Sequence, residues 1–289
     1  MKIRNLFVAY LQLSLFASVL FLTSCSIFEP ASPSPTYLQI DSILVNSDQV
    51  ISGSNSSKIT DAWVIVDGVY LGTFPVPGKF PVANEGNHNI IIRAGIIEDG
   101  ISSLRSAYVK YTSFDTTINM KIAETYTITP HVAYSSTNVY PNMEDFEYAS
   151  LNLVSTSTGN TPLTIITNSD PNSFEGNSGK ATLADTNTVF EIASSVPFTL
   201  TLNTLTYVEL NYKSDVDFII GAYITTTSVY KQDLLSIRAS STWKKIYVNI
   251  NDLGGVASNA IAYKIYIHAE KPTSGVPANL FFDNFKVIN

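Results

Sequence analysis

Short runs of alternating apolar and polar residues recur along the chain from residue 37 to its end. The first are at 37–45 and 61–74, and a similar run at 280–288 comes last. A period of two places apolar side chains on one face of a β-strand. No window shows the 3.6-residue period of a convincing amphipathic helix, and turn-forming residues separate the runs. The pattern therefore predicts an all-β protein.

Two breaks divide the predicted strands into two groups. Residues 25–36 contain three prolines among small polar residues, which is typical of a flexible tether. Residues 135–143 interrupt the strand pattern and are interpreted as a linker. We therefore predict a first β-sandwich domain over 37–134 and a second over 144–289. The second has about eleven strand-like runs, which is typical of a sandwich or jelly roll.

The first domain contains a clear hairpin signal. Residues 61–74 are two strand-like halves around Asp67 and Gly68, and Asp-Gly is among the strongest predictors of a two-residue hairpin turn. The following segment, 75–82, contains three prolines and is predicted to be a loop or an irregular edge.

The hairpin and the strand after it resemble the PEGA-type domain, a small β-sandwich of bacterial envelope proteins. The resemblance covers about 35 residues and implies a spacer or interaction module, in which His88 begins a strand and is not a ligand. The matching residues are Val64, Val66, Asp67, Gly68, Gly72, Pro75, Gly86, His88, Ile90 and Ile92, the last being Ile where the pattern has Val.

The second domain resembles the jelly-roll carbohydrate-binding modules and galactose-binding-like domains. The resemblance rests on an opening strand at 146–150, a Gly-rich turn and strand at 176–183, a late strand at 241–250 and the closing strand at 280–288. All four are strand cores with turns, so the resemblance concerns the fold, and fold alone does not determine function.

That resemblance also implies a structural calcium ion between the first and last strands. The corresponding ligands are Glu147, with Glu144 or Asp145 nearby, and Asp283. Calcium prefers six to eight oxygen ligands, mostly carboxylates and carbonyls. The alternative is that these are solvated turn acids and that Asp283 faces water.

Sugar binding requires flat aromatic faces and polar side chains that bond hydroxyl groups. The candidate residues are Tyr223, Tyr230 and Tyr266. Strand alternation places Tyr266 with Lys264 and His268 on a polar face.

Three further positions in this domain bear on the hypothesis. Tyr263 shares its side of the strand with Ile265 and Ile267, which indicates a core position. Trp243 opens a strand and is interpreted as a core residue in preference to a sugar platform, while Gly221 marks a bulge or a close approach to a ligand.

No sequence motif indicates catalysis. The three histidines are scattered over both domains, and no nucleophile elbow, His-Glu-x-x-His motif or phosphate-binding loop is present. A hydrolase with two facing carboxylates remains an alternative, but no spacing identifies the pair. The net charge of −7 does not favour nucleic-acid binding, which depends on neutralising phosphates with Lys and Arg.

The N-terminus has the order of an export signal. Lys2 and Arg4 precede an uncharged stretch at 6–22, whose last residue, Leu22, is followed by Thr-Ser and Cys25, the only cysteine. This resembles the lipobox of bacterial lipoproteins and implies cleavage after residue 24 and lipidation of Cys25. The uncharged stretch is short for a membrane span, although a signal-anchor helix is the alternative.

The lipobox has a neutral residue, Ser26, at its next position. By the same resemblance this favours the outer membrane over retention at the inner membrane. We therefore predict a non-enzymatic, lipid-anchored outer-membrane protein whose jelly roll binds a glycan. The alternative is an interaction subunit of an outer-membrane assembly, export or adhesion complex, with an outer-membrane protein as its partner.

Overall fold

The structure, a computed structural model, describes residues 35–82, 85–200, 204–256, 259–272 and 275–289. Almost all of its regular structure is β, as predicted. In the described residues the helices are single turns, α1 (Gln49–Ser52) and α2 (Leu253–Val256). The strands form two groups of sheets, called here the first unit and the second unit.

The first unit is built from short sheets around one core. Strand β1 pairs antiparallel with β5 and parallel with β9, β2 pairs with β10, and a further sheet has the order β4-β3-β6-β7 with β8 also on β6. The strands are β1 (Tyr37–Ile40), β2 (Leu44–Val45), β3 (Asp61–Val66), β4 (Val69–Pro75), β5 (Gly78–Pro81), β6 (Gly86–Ile97), β7 (Arg105–Ala107), β8 (Phe114–Met120), β9 (Thr125–Ile128) and β10 (His131–Val132).

The predicted hairpin is formed by β3 and β4. Asp67 and Gly68 have φ angles of 49° and 78°, both in the left-handed region that a type I′ turn needs. His88 Nδ1 lies 2.7 Å from Asp67 Oδ2, and the Asn89 amide donates to Asp67 Oδ1. His88 therefore contacts the turn. The proline-rich segment provides the short edge strand β5, in line with the predicted irregular edge.

The second unit is a sandwich of two sheets. The sheet that contacts the first unit, called the proximal sheet, has the order β13-β14-β21-β16-β19 with β11 on β21. The other sheet, called the distal sheet, has the order β12-β15-β20-β17-β18. The strands are β11 (Asn142–Glu144), β12 (Leu153–Ser155), β13 (Thr164–Ile166), β14 (Ser178–Leu183), β15 (Val189–Ser194), β16 (Tyr207–Ser214), β17 (Phe218–Thr225), β18 (Val229–Ile237), β19 (Ser240–Asn249), β20 (Ala262–Glu270) and β21 (Ala278–Ile288).

Side chains from both sheets fill the space between them. Alternate residues of β16, including Val208 and Leu210, point into this core, and so do Ile265 and Ile267 of β20. Burying each such aliphatic side chain contributes roughly 1.5–3 kcal/mol. The predicted core side of β20 is confirmed.

The predicted opening strand at 146–150 is wrong. These residues form bends between β11 and β12. Phe146 has a φ of 60°, which is outside the β region, and its amide donates to Glu144 Oε1 at 2.8 Å. The Phe146 ring is fully buried in the core. The apolar residue that suggested a strand therefore packs in the core from a turn.

The first unit covers the outer face of the proximal sheet. Tyr207, Tyr247 and Ile288 are fully or almost fully buried and pack in the core of the first unit. Residue Glu98 of the first unit forms a β-bridge with Tyr247. The two units are therefore in direct, extensive contact.

A buried carboxylate lies at the centre of this contact. Glu209, fully buried, accepts hydrogen bonds from the hydroxyls of Tyr108 and Tyr134 at 2.6 and 2.7 Å. Lys245 Nζ lies 2.8 Å from Glu209 Oε2, and Lys286 Nζ donates to the Ser52 carbonyl at 2.5 Å. The Glu209 cluster, defined by Glu209, Tyr108, Tyr134, Lys245 and Lys286, joins both units.

Burial and the neighbouring charges set the pKa values of this cluster. Burial alone would raise the pKa of Glu209, but Lys245 and Lys286 outweigh it and the pKa is lowered. Burial lowers the pKa of Lys286 to about 8, although Glu209 partly opposes the shift. The negative carboxylate therefore favours the charged form of the buried Lys286 between the units.

Candidate functional site

The outer face of the distal sheet carries the polar and aromatic residues predicted from strand alternation. The outward positions of adjacent strands are in register, because His268 pairs with Glu191 and Ile219, and Tyr266 pairs with Ala193 and Gly221. Tyr223 pairs with Lys231 and Lys264 in the same way. Tyr266, Lys264 and His268 therefore share this face as predicted, while Tyr263 is buried in the core.

Glu191 is the centre of this face. Its Oε2 lies 2.5 Å from Lys231 Nζ and 2.9 Å from His268 Nδ1, and its Oε1 accepts hydrogen bonds from the Tyr223 and Thr156 hydroxyls. The carboxylate is fully buried below these four side chains. We call this group the Glu191 cluster.

The Glu191 cluster favours the charged carboxylate. Burial by itself would raise the pKa of Glu191, but hydrogen bonds from Lys231, Tyr223 and Thr156 outweigh it and lower the pKa to about 2. The shift stabilises the folded state above pH 4.5, and this stabilisation is lost as the pH falls toward 2. At neutral pH the face has a fixed anion with cationic and hydroxyl donors around it.

Gly221 explains how the Tyr266 ring lies on the sheet. A Cβ atom at Gly221 would lie 2.2 Å from the Tyr266 Cζ and hydroxyl atoms, so the ring rests directly on the backbone of β17. The Tyr266 hydroxyl donates to Asp233, and Lys231 Nζ lies 4.5 Å from the centroid of the ring. The prediction of a bulge at Gly221 is confirmed, because the register between β17 and β18 shifts between Ile220 and Gly221, and the group that closely approaches this backbone is a side chain.

The three candidate tyrosines are in different environments. Tyr266 is fully buried, so its ring lies beneath the other side chains of the face. Tyr223 is half-buried, and its ring centroid is 5.2 Å from that of Tyr266. Tyr230 is half-buried on the opposite side of the sheet against the core, because it pairs with the core residue Ile224. The predicted grouping of Tyr230 with the other two is therefore wrong.

Sequence reasoning did not identify Glu191, Lys231, Asp233 and Thr156 as site residues. The signal available for Glu191 was a charge inside the apolar run Val189–Ser194, which is unusual in a buried strand. The other three become neighbours of Glu191 or Tyr266 through strand pairing, and the sequence pattern does not specify pairing.

The predicted calcium ligands are not one ligand set. Glu144 accepts hydrogen bonds from the amides of Phe146 and Asn152, and Glu147 Oε1 accepts one from the Asn177 amide at 2.7 Å. In the described part of the chain, no three acidic, His or Cys residues are grouped to hold a metal ion. Glu144 binds amides of its own loop, whereas Glu147 binds an amide of the loop before β14, so these carboxylates do not form a calcium ligand set.

Asp283 also differs from the alternative in which it faces water. It is fully buried, with Oδ2 accepting from the Ser178 hydroxyl at 2.9 Å and Oδ1 accepting from the Asn284 amide at 2.7 Å. Burial raises the pKa of Asp283 to about 7, although these hydrogen bonds oppose the shift.

The raised pKa of Asp283 predicts how stability depends on pH. Between the unfolded value of 3.8 and about 7, only the folded state keeps the proton, so this group's contribution falls as the pH rises through that window. From pH 5 to pH 8 the loss should be about 2–3 kcal/mol. Urea unfolding at both pH values should show it in the native chain and not in Asp283→Asn. An equal pH dependence in both proteins would contradict the assignment.

Trp243 is half-buried and lies outside the core of the second unit. Its ring packs on Phe174, with centroids 5.1 Å apart, and its Nε1 donates to the Asn172 carbonyl at 3.2 Å. The interpretation of Trp243 as a core residue is therefore wrong, because its strand position faces the first unit.

The predicted lipidation site, Cys25, and the predicted signal peptide lie outside the described residues. Among the described residues, no helix is long and apolar enough to span a membrane.

Comparison with known proteins gives a loose structural likeness. No protein family and no curated sequence matches the chain. A variant of the family 29 carbohydrate-binding module CBM29-2 is 10% identical, with a TM-score of 0.34 over 52% of this chain and 90% of that one.

Two other similar structures have the same low similarity. The family 11 carbohydrate-binding module from Clostridium thermocellum, in complex with a β-1,3-1,4-mixed-linked tetrasaccharide, is 16% identical, with a TM-score of 0.34 over 52% of this chain and 95% of that one. An exo-β-agarase is 12% identical, with a TM-score of 0.36 over 53% of this chain and 25% of that one. With TM-scores this low, nothing about the activity of this chain follows from the likeness.

Proposed function

We propose that this chain is a non-enzymatic glycan-binding protein and that the outer face of the distal sheet is its binding surface. One observation carries the proposal. Strands β15, β17, β18 and β20 bring a half-buried tyrosine, Tyr223, and two cationic or hydrogen-bonding side chains, Lys231 and His268, around the charged Glu191. The first unit packs on the other sheet, and Lys231 and Asp233 are exposed on this face.

The chemistry of the face suits a sugar. A pyranose ring has apolar faces that pack on an aromatic side chain and hydroxyl groups that exchange hydrogen bonds with charged side chains. Lys231 and His268, both held by the buried Glu191, provide the polar groups, and Tyr223 provides the aromatic surface. Because Glu191 and Tyr266 already fix their neighbours, little side-chain freedom would be lost on binding, which favours affinity.

Tyr223→Ala is expected to weaken glycan binding at least about 10-fold, equivalent to 1.4 kcal/mol. The variant loses the aromatic surface and one hydrogen bond to Glu191. The full-length chain is first screened against neutral polysaccharides, including β-1,3-1,4-mixed-linked glucan, by affinity electrophoresis. The binding constant for the best one is then measured by calorimetry.

The matched control is Tyr70→Ala, which removes an exposed tyrosine of the first unit. It should bind like the native chain. If the folded native chain bound none of the polysaccharides, or if both variants bound equally well, the proposal would be wrong.

The location of the protein is proposed from the sequence. Lipidation of Cys25 after removal of residues 1–24 would anchor the chain to the outer membrane, with the first unit between the lipid and the distal sheet. Metabolic labelling with a palmitate analogue in a bacterial host tests this proposal. Label on the native chain and none on Cys25→Ser is expected, and equal labelling would refute it.

The interaction-subunit alternative remains a prediction. One feature bears on it, since β4 is an edge strand of its sheet and its residues Val69, Tyr70 and Leu71 are exposed. Exposed apolar edge strands are sites where another chain can pair.

A further inference from the structure

Two cavities separate from the distal sheet lie between the two units. The first, at one end of the contact, has a volume of about 380 Å³. The second has a volume of about 270 Å³ and lies where residues 56–58 of the first unit meet β16 and β19. The second, smaller cavity differs from the first in its lining, because Lys58, Asn211, Trp243 and Lys245 all border it. We call it the Trp243 cavity.

One wall of the Trp243 cavity is aromatic. Trp243 and Phe174 both line it, with their rings in contact. The hydrogen bond from Trp243 Nε1 to the Asn172 carbonyl holds the indole in position. A fixed, half-buried indole next to a second ring provides a flat apolar surface for a ring-shaped ligand.

The charge around the cavity is positive, although the chain as a whole carries −7. Lys58, Lys244 and Lys245 line it, and none of its lining residues in the described structure is acidic. Lys245 is paired with Glu209, whereas Lys58 and Lys244 are exposed and make no ion pair with any described residue. These two ammonium groups are therefore uncompensated, which favours an anion.

A buried polar atom of the cavity also needs a partner. Asn211 is 1% exposed, and its Nδ2 donates to Ser56 Oγ at 3.0 Å. Its Oδ1 makes no hydrogen bond with the protein. Buried side-chain oxygens are nearly always hydrogen-bonded, so this atom points to a donor supplied from the cavity, such as a hydroxyl group.

We propose that the Trp243 cavity binds a carboxylated sugar residue, with its ring on Trp243, its carboxylate near Lys58 and a hydroxyl donating to Asn211 Oδ1. An anion alone would use the lysines and leave the indole and the amide oxygen without a role. A neutral sugar would leave the lysines without one. The inference is independent of the neutral-glycan proposal for the distal sheet, since the two surfaces share no residue.

The test is calorimetric titration of the full-length chain with sodium glucuronate, glucose and sodium sulfate. Glucuronate should bind at least about 10-fold more tightly than either of the others, because only glucuronate has both the ring and the charge. Lys58→Met should weaken glucuronate binding about 5-fold or more, while Lys121→Met, which removes an exposed lysine outside the cavity, should leave it unchanged.

Two substitutions of Trp243 test whether the ligand needs an aromatic wall. Trp243→Leu should abolish most binding, and Trp243→Phe, which keeps an aromatic wall, should retain most of it. Tyr223→Ala should leave glucuronate binding unchanged, so failure of the distal-sheet proposal would not affect this result. Equal binding of sulfate and glucuronate, binding unaffected by Lys58→Met, or no binding of glucuronate would overturn the proposal.

Discussion

Replacing Glu209 by Gln is expected to lower the free energy of unfolding by about 3–5 kcal/mol, the cost typical of breaking a buried ion pair by removing one partner. The glutamate is fully buried and is the only anion within the Glu209 cluster. After the substitution, Lys245 loses the carboxylate it is paired with, and Lys286 keeps only its weaker interaction with Glu175. Urea denaturation of the full-length chain at pH 7 measures the change.

The control for this prediction is Glu270→Gln, which alters an exposed carboxylate and should change stability by less than about 0.5 kcal/mol. The double variant Glu209→Gln with Lys286→Met should be more stable than the sum of the single effects, because one uncompensated cation is removed. A loss below about 1 kcal/mol for Glu209→Gln would mean that the cluster does not hold the two units together.

The second large effect is expected for Gly221→Ala, which should destabilise the chain by about 1–3 kcal/mol, as overpacking of a filled site does. The added methyl group would lie 2.2 Å from the ring of Tyr266. The buried Tyr266 ring would have to move, and its contact with Lys231 of the Glu191 cluster would be lost. Thermal unfolding measures the stability, and calorimetry measures the accompanying loss of glycan affinity.

Gly254→Ala is the matched control, because a Cβ atom there has nothing within 4 Å. It should leave both stability and binding nearly unchanged. In a Tyr266→Ala background, the clash is gone and Gly221→Ala should cost almost nothing further. If Gly221→Ala were as harmless as Gly254→Ala in the native background, the Tyr266 ring would not rest on β17.

The predictable part of this fold lies in properties that are local in sequence. The alternation of apolar and polar residues in β20 correctly placed Tyr263 and Tyr266 on opposite faces of the sheet, because successive side chains of a strand point to opposite faces. The Asp67-Gly68 turn was predictable because only a few residue pairs tolerate two positive φ angles.

The parts of the fold and of the candidate site that could not be predicted depend on which strands are neighbours. Tyr230 and Tyr223 belong to paired strands, but the register places Tyr230 opposite Ile224, on the core side. The predicted calcium ligands do not form one set for a similar reason, since Glu144 bonds within its own loop and Glu147 bonds to Asn177 of a loop that is distant in sequence. The position of the first unit over the proximal sheet explains why Glu209 and Trp243 face the first unit and not solvent, and no local pattern specifies that contact.

Glycan binding by the outer face of the distal sheet is what we propose for this chain. Its most direct test is to titrate the isotopically labelled full-length chain with a polysaccharide fragment selected by affinity electrophoresis and to follow backbone amide shifts by NMR. The largest shifts should fall on β15, β17, β18 and β20, around Glu191, Tyr223 and Lys231. Shifts confined to other strands, or no shifts at saturating fragment, would contradict it.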